Sequence, residues 1–283
     1  MVPTLTILCP GLLGGSVARA ARERKAAGRI VIWARRPETR AALARQSWCD
    51  TVAETPEAAV AGADLVVIAS PVDSILPLLR QIAPSLRSGA VVTDVGSAKG
   101  RIAREGHEVL GTRAHFVGSH PMAGSEKTGW ENASPGLFER RTCFVTPLPA
   151  TDPGALAAVT DFWRQLGGTV ASVEPGRHDE IVAHISHLPQ VLASSLCAFL
   201  AGKDPAWRNY AGGGLRDTTR IAGSDPELWR TILEQNRDEV LRALQGLGAE
   251  IKAFETALER RDWAAVTARI AEGKKYRDGF PTP

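Results

Sequence analysis

The segment Gly118-Ser119-His120-Pro121-Met122-Ala123-Gly124-Ser125-Glu126-Lys127 sets one histidine inside a glycine-bounded stretch. A neutral imidazole has an unperturbed pKa of about 6.5 and takes up a proton near neutral pH, so His120 is a candidate general base. A structural histidine is the alternative. Upstream lies Asp94-Val95-Gly96-Ser97-Ala98-Lys99-Gly100, directly after an apolar run. Downstream, His178, His184 and His187 cluster, but no carboxylate or cysteine completes a recognisable ligand pattern, and no metal is expected. His187 and Gln190, three apart, would share a helix face that points at a cleft. The bend Gly212-Gly213-Gly214-Leu215-Arg216-Asp217-Thr218-Thr219-Arg220 carries Asp217 and Arg220. They could form an anion-binding corner or an exposed salt bridge.

A second chemistry sits near the amino end. The apolar run Leu5–Cys9 leads into Pro10-Gly11-Leu12-Leu13-Gly14-Gly15-Ser16 and then a helix-like segment. A dinucleotide fold places its glycine turn there: Gly11 lets the backbone approach a pyrophosphate, and Gly14 allows close helix–strand packing. The helix end, with Leu12 and Leu13, offers free N–H groups to the anion. Cys9 occupies the first position of the usual GxGxxG pattern, so a turn that only packs is the alternative. The next apolar run ends in Trp33-Ala34-Arg35-Arg36, without the carboxylate that binds the ribose of NAD. Arg35 and Arg36 suit a 2′-phosphate, which favours NADP over NAD. Two solvated arginines, with Glu38 or another group on the ribose, are the other reading. Ser70-Pro71, just past Leu65–Ala69, belongs to the same cofactor edge.

These groups need elements to hold them. Leu5–Cys9, Ile30–Trp33, Leu65–Ala69, Val91–Val95 and Cys143–Thr146 suit strands buried on both faces of a parallel sheet, and Thr169–Val173 could add one more. Ser16–Ala27, Pro37–Gln46, Pro56–Ala61, Val72–Ala83 and Asp152–Leu166 read as the intervening helices. That alternation predicts an α/β, Rossmann-like doubly wound sheet over residues 1–173. Residues 174–283 read as an all-α domain. From Pro226 onward, Leu233, Val240, Leu247 and Phe254 recur every seven residues, which predicts one helix of about 30 residues whose stripe needs covering. The tail from Gly273 reads as frayed.

Composition narrows the class. With 283 residues, 44% hydrophobic and 23% charged, the chain suits a soluble globular protein of one or two domains. A net charge of +3, from 34 basic and 31 acidic residues without long like-charge runs, argues against nucleic acid. No basic region precedes Leu5–Leu8 as a signal peptide requires. Ile185–Leu200, interrupted by His187, Pro189, Gln190 and two serines, does not read as a membrane span. Cys9, Cys49, Cys143 and Cys197 are far apart and suit a reducing cytoplasm.

Taken together, LCPGLLGGS, DVGSAKG, GSHPMAGSEKTG, HDEIVAHISHLPQ and GGGLRDTTRIAGSDPELW occur in an order and spacing that resembles the prephenate/arogenate dehydrogenases of tyrosine biosynthesis, over nearly the whole chain. The resemblance implies oxidative decarboxylation with hydride transfer to NAD(P)+. By the same resemblance His120 is the catalytic histidine, Ser97 hydrogen-bonds near it and the nicotinamide, and Arg220 binds a substrate carboxylate. Glu126, His187 and Trp229 would line or gate the pocket. Gln190 stands where some members have a second histidine. A homodimer through the helical domain is also implied. Two rivals are another β-hydroxyacid- or imine-type NADP-dependent dehydrogenase and a non-catalytic NADP-binding sensor.

Overall fold

The computed structural model describes residues 1–124 and 127–280. Packing divides the chain into two units, Met1–Asn236 and Arg237–Pro283. In the first unit, β1 (Val2–Leu8), β2 (Ala27–Trp33), β3 (Thr51–Val52), β4 (Leu65–Ile68), β5 (Val91–Asp94) and β6 (His115–Phe116) form a wholly parallel sheet. Its order is β3-β2-β1-β4-β5-β6, the doubly wound arrangement that opens a crevice beyond β1 and β4. Strand side chains alternate between two cores. Ile7, Ile30, Ile32 and Val67 enter one, whereas Leu8, Val31, Val66, Ile68 and Val92 enter the other. Burial on both faces explains why these strands are continuously apolar.

A second sheet holds β7 (Gly118–Pro121), β8 (Thr142–Thr146) and β9 (Thr169–Ser172), with β7 antiparallel and β9 parallel to β8. The sequence reading assigned β8 and β9 to the doubly wound sheet, whereas they pair in this separate one, and it did not find β3, β6 or β7. These are two to four residues long, and Gly118-Ser119-His120-Pro121 lacks any β-branched or alternating signal.

The helices around and after the sheets are α1 (Leu12–Glu23), α2 (Pro37–Leu43), α3 (Pro56–Val60), α4 (Ile75–Ile82), α5 (Gly100–Leu110), α6 (Pro153–Gln165), α7 (Pro175–Val182), α8 (Leu188–Ala201), α9 (Gly213–Thr219), α10 (Pro226–Gln235), α11 (Arg237–Glu259) and α12 (Trp263–Asp278). Several starts are written locally: Thr55, Asp152, Glu174 and Asp225 each cap a helix through the side chain, and each precedes a proline. Helix α1 starts four residues before the expected Ser16 and stops at Glu23, because Lys25 takes the left-handed conformation at φ 53°.

Two expectations about the helical region need correction. The single helix from Pro226 is two, separated at Asn236 (φ −114°, ψ 28°), whose buried side chain is spent on tertiary contacts. The segment after Gly273 is not frayed but helical to Asp278. Pro175–Ala201 runs as one helical stretch through a π-helical turn at Ala183–His187, where Pro189 cannot supply a backbone donor. An 18-residue window of this stretch reaches a mean hydropathy of 1.3, apolar enough to cross a membrane by length and composition alone. The polar side chains of His178, Asp179, His187 and Gln190 are buried on it, whereas Ile185, Leu192 and Phe199 are exposed.

Candidate active site

Strand β1 ends at Leu8, and Cys9 turns the chain at φ 62°. This is the left-handed region that glycine normally supplies, at a cost of roughly 1 kcal/mol for another residue. Cys9 thus makes the same turn under strain. Burial pushes its thiol up to about 11, with Arg35 pulling the other way. A Cβ at Gly14 would lie 2.8 Å from Ala69 Cβ and 3.2 Å from Ile7 Cγ2, so this glycine is required by helix–strand contact. At Gly11 a Cβ would meet nothing within 4 Å. That open space lies against the start of α1, which has no side-chain cap. The N–H groups of Leu12, Leu13 and Gly14 have no carbonyl one turn earlier and face outward as donors.

A cavity of about 590 Å³ opens here, lined among others by Gly11, Arg35, Arg36, Pro71 and Trp130. Arg35 and Arg36 are exposed, and neither guanidinium has an ion-pair partner among the described residues. Glu38 does not line the cavity; Glu131 does. Arg40, which sequence reasoning passed over, pins the loop by donating to the carbonyls of Ala34 (3.0 Å) and Arg35 (3.1 Å) while pairing with Glu54 at 2.9 Å. Ser70 is buried, its hydroxyl 3.3 Å from the Pro71 carbonyl. Open backbone donors, a glycine-sized gap and two free guanidiniums fit a dinucleotide's phosphates.

His120 lies on β7, buried, with Nδ1 2.9 Å from His178 Nε2. His178 Nδ1 is in turn 2.8 Å from Asp179 Oδ1. The Asp179 carboxylate accepts the N–H of Lys99 on Oδ1 and that of Gly100 on Oδ2, both at 2.7 Å. A side chain at Gly100 would put its Cβ 2.8 Å from Asp179 Oδ2, so this motif glycine makes room for the carboxylate. Beneath runs a second network. Asp94 pairs with Lys99 Nζ and accepts the N–H groups of Gly96 (2.8 Å) and Ser119 (3.2 Å). The Ser119 hydroxyl donates to the Asp94 carbonyl at 2.6 Å and accepts from Trp163 Nε1 at 2.9 Å. His120 is therefore anchored through its neighbour to the carboxyl end of β5. Burial, and then the nearby His178, Lys99 and His187, hold its pKa well below the usual histidine value.

His187 is buried, with Nδ1 3.1 Å from Asn236 Nδ2; that amide also donates to the Asp179 carbonyl at 2.8 Å. Burial lowers the His187 pKa to about 4. Its ring meets Trp229 edge-on, centroids 5.9 Å apart. Gln190 is buried three residues on, where Nε2 reaches Ser194 at 3.3 Å and Oε1 has no partner among the described residues. His184 faces solvent, which separates it from the other two histidines. Arg220 and Asp217 are exposed without ion-pair partners among the described residues, on a segment whose last turn, Arg220–Gly223, packs against α8. Ser97 is half-buried on the loop after β5 and makes no side-chain hydrogen bond among the described residues; Nδ1 of His120 belongs to His178 instead. Glu126 lies outside the described residues. The sequence reading had seen His178 only as part of a histidine cluster, and had not used Asp179, Lys99 or Asn236.

Comparison with known proteins agrees with this layout. A family model described as prephenate dehydrogenase, nucleotide-binding domain, matches residues 17–172, and one described as prephenate dehydrogenase, dimerization domain, matches residues 174–272. Prephenate dehydrogenase of Bacillus subtilis (strain 168) is 33% identical over 99% of this chain and 77% of its own length. Prephenate dehydrogenase of Aquifex aeolicus, solved with hydroxyphenyl propionate and NAD+, superposes with a TM-score of 0.91 at 31% identity, covering 98% of each chain. Synechocystis arogenate dehydrogenase gives 0.85 at 28% identity, covering 97% of this chain and 99% of its own. With the glycine turn, the buried histidine and both family domains in place, the chain belongs to the prephenate/arogenate dehydrogenase family of NAD(P)-dependent oxidoreductases.

Proposed function

We propose that the protein oxidatively decarboxylates prephenate, to 4-hydroxyphenylpyruvate, or arogenate, to tyrosine, in tyrosine biosynthesis. The observation that carries this reading is a buried, neutral His120 anchored at the carboxyl edge of the nucleotide-binding sheet. Prephenate carries a ring hydroxyl, a ring carboxylate and a pyruvyl side chain. A nicotinamide bound in the crevice supplies the hydride acceptor. His120 takes the hydroxyl proton as the C–O bond becomes a carbonyl, and the C–CO2 bond then breaks, its electron pair aromatising the ring. The resulting phenolate recovers the proton from the imidazole. By the family resemblance Ser97 would act beside the nicotinamide, and Arg220 holds a substrate carboxylate in register. Asp217, Glu126, His187, Gln190 and Trp229 complete the substrate pocket.

The cofactor is cradled by Gly11, Leu12, Leu13 and Gly14, with Ser70 and Pro71 on the facing strand end. Arg35 and Arg36 favour NADP over NAD, supported by two guanidiniums that line the cavity without an ion-pair partner among the described residues. The functional boundary falls at residue 173, between the two family domains. Residues 174–283 pair two copies of the chain. Met1 aside, every exposed large hydrophobic side chain among the described residues lies at or after Ile185, including Phe199, Ile251, Leu258 and Trp263. Four free cysteines suit the cytoplasm.

Mixing the protein with prephenate or arogenate and with NADP or NAD, while following reduced-cofactor absorbance, tests the reading. Turnover with either substrate supports it. Tight NADP binding with turnover of neither substrate would leave the sensor.

A further inference from the structure

We infer that His178 is a positioning residue that, backed by Asp179, fixes Nε2 of His120 as the proton-accepting atom. The inference rests on His120 being the base, and goes beyond it by saying which nitrogen accepts and what decides this.

Asp179 receives backbone N–H groups on both oxygens, at 2.7 Å each, and these amides can only donate. The carboxylate is therefore an acceptor throughout, and His178 Nδ1, 2.8 Å away, must donate to it. In a neutral ring one nitrogen donates and the other accepts. His178 Nε2 is then a lone pair, and His120 Nδ1, 2.9 Å from it, must be the donor. The free lone pair of His120 is left on Nε2.

The alternative state is a doubly protonated His178, whose Nε2–H would occupy Nδ1 of His120 and place that ring's proton on Nε2. Burial opposes it, lowering the His178 pKa despite Asp179. The other charged or titratable groups facing the pair are Asp94 and Lys99 from β5 and its loop, His187 on the same helical stretch and Cys143 on β8. Asp94 and Lys99 pair with one another; Lys99 disfavours a proton on either ring, and at His178 Asp94 works against it. Burial pushes the Cys143 thiol up, which keeps it uncharged. Once His120 accepts a proton, its Nδ1–H becomes a charge-assisted donor to His178, and Asp179 at the far end balances the cation. The arrangement depends on close approach: a Cβ at Gly100 would lie 2.8 Å from Asp179 Oδ2.

Imidazole 15N NMR of the free wild-type protein at mildly alkaline pH tests the tautomers without any turnover. Both His120 and His178 are expected as Nδ1–H forms, whereas an Nε2–H signal for His120 would overturn the inference even if the dehydrogenase activity stands. Kinetics add a second reading. His178→Phe removes the acceptor and should lower kcat by about 10²-fold with KM within about twofold. His178→Gln, whose carbonyl can still accept from Nδ1, should recover about tenfold of that loss. A His178→Phe enzyme with nearly normal kcat, or a glutamine variant no better than phenylalanine, refutes the role. Should neither variant fold, the wild-type spectrum decides.

Discussion

Lys99 ion-pairs with Asp94, and neither side chain has any exposed surface. The same carboxylate receives the N–H of Ser119, so the pair supports the strand residue next to His120. Removing one partner of a buried pair strands the other charge. Lys99→Met should cost about 3–5 kcal/mol in urea unfolding, whereas an exposed pair is worth under about 1 kcal/mol. A loss in that smaller range would mean that Asp94 is satisfied by its backbone donors alone.

His120→Asn should leave cofactor binding intact while kcat falls by about 10²–10⁴, the usual span for general base catalysis. Its neutral ring also places the acid limb of kcat/KM below the ordinary histidine pKa. Titration of cofactor fluorescence and a pH profile check both points. A near-normal kcat removes His120 from the chemistry.

Arg220→Gln should chiefly raise KM, because a carboxylate clamp acts in the ground and transition states alike. Its exposed guanidinium has no ion-pair partner among the described residues, so thermal stability should hardly change. An unchanged KM puts the substrate carboxylate elsewhere.

Replacing Arg35 and Arg36 by alanine should lower kcat/KM with NADP by about 10- to 100-fold, equivalent to one or two charge-assisted hydrogen bonds. The value with NAD should move little. Equal losses with both cofactors would reassign the arginines to the shared pyrophosphate.

Acid should destabilise the fold through its buried imidazoles. The folded pKa of His187, about 4, lies below the unfolded value, so stability is flat above pH 6.5 and falls as pH drops from there towards 4. The loss from this residue reaches about 3 kcal/mol at the lower end. His120 and His178 shift the same way and steepen the decline. Melting temperatures across that range measure it, and His187→Asn should make the slope shallower.

Much of this protein is local in origin and readable along the chain. The glycine turn from Gly11 to Gly14 follows from what a backbone must do between β1 and α1, and Thr55-Pro56, Asp152-Pro153 and Asp225-Pro226 mark helix starts by side-chain capping. The apolar runs of β1, β2, β4 and β5 follow from burial on both sheet faces. Tertiary structure decided the rest. The seven-residue repeat from Leu233 to Phe254 passes unbroken through Asn236, and only contacts with Asp179 and His187 consume that side chain where the helix stops. His120 and His178 stand 58 positions apart, and no spacing rule joins them. Which nitrogen of an imidazole is free depends on its hydrogen-bond partner, and here that partner arrives from another element when the chain folds.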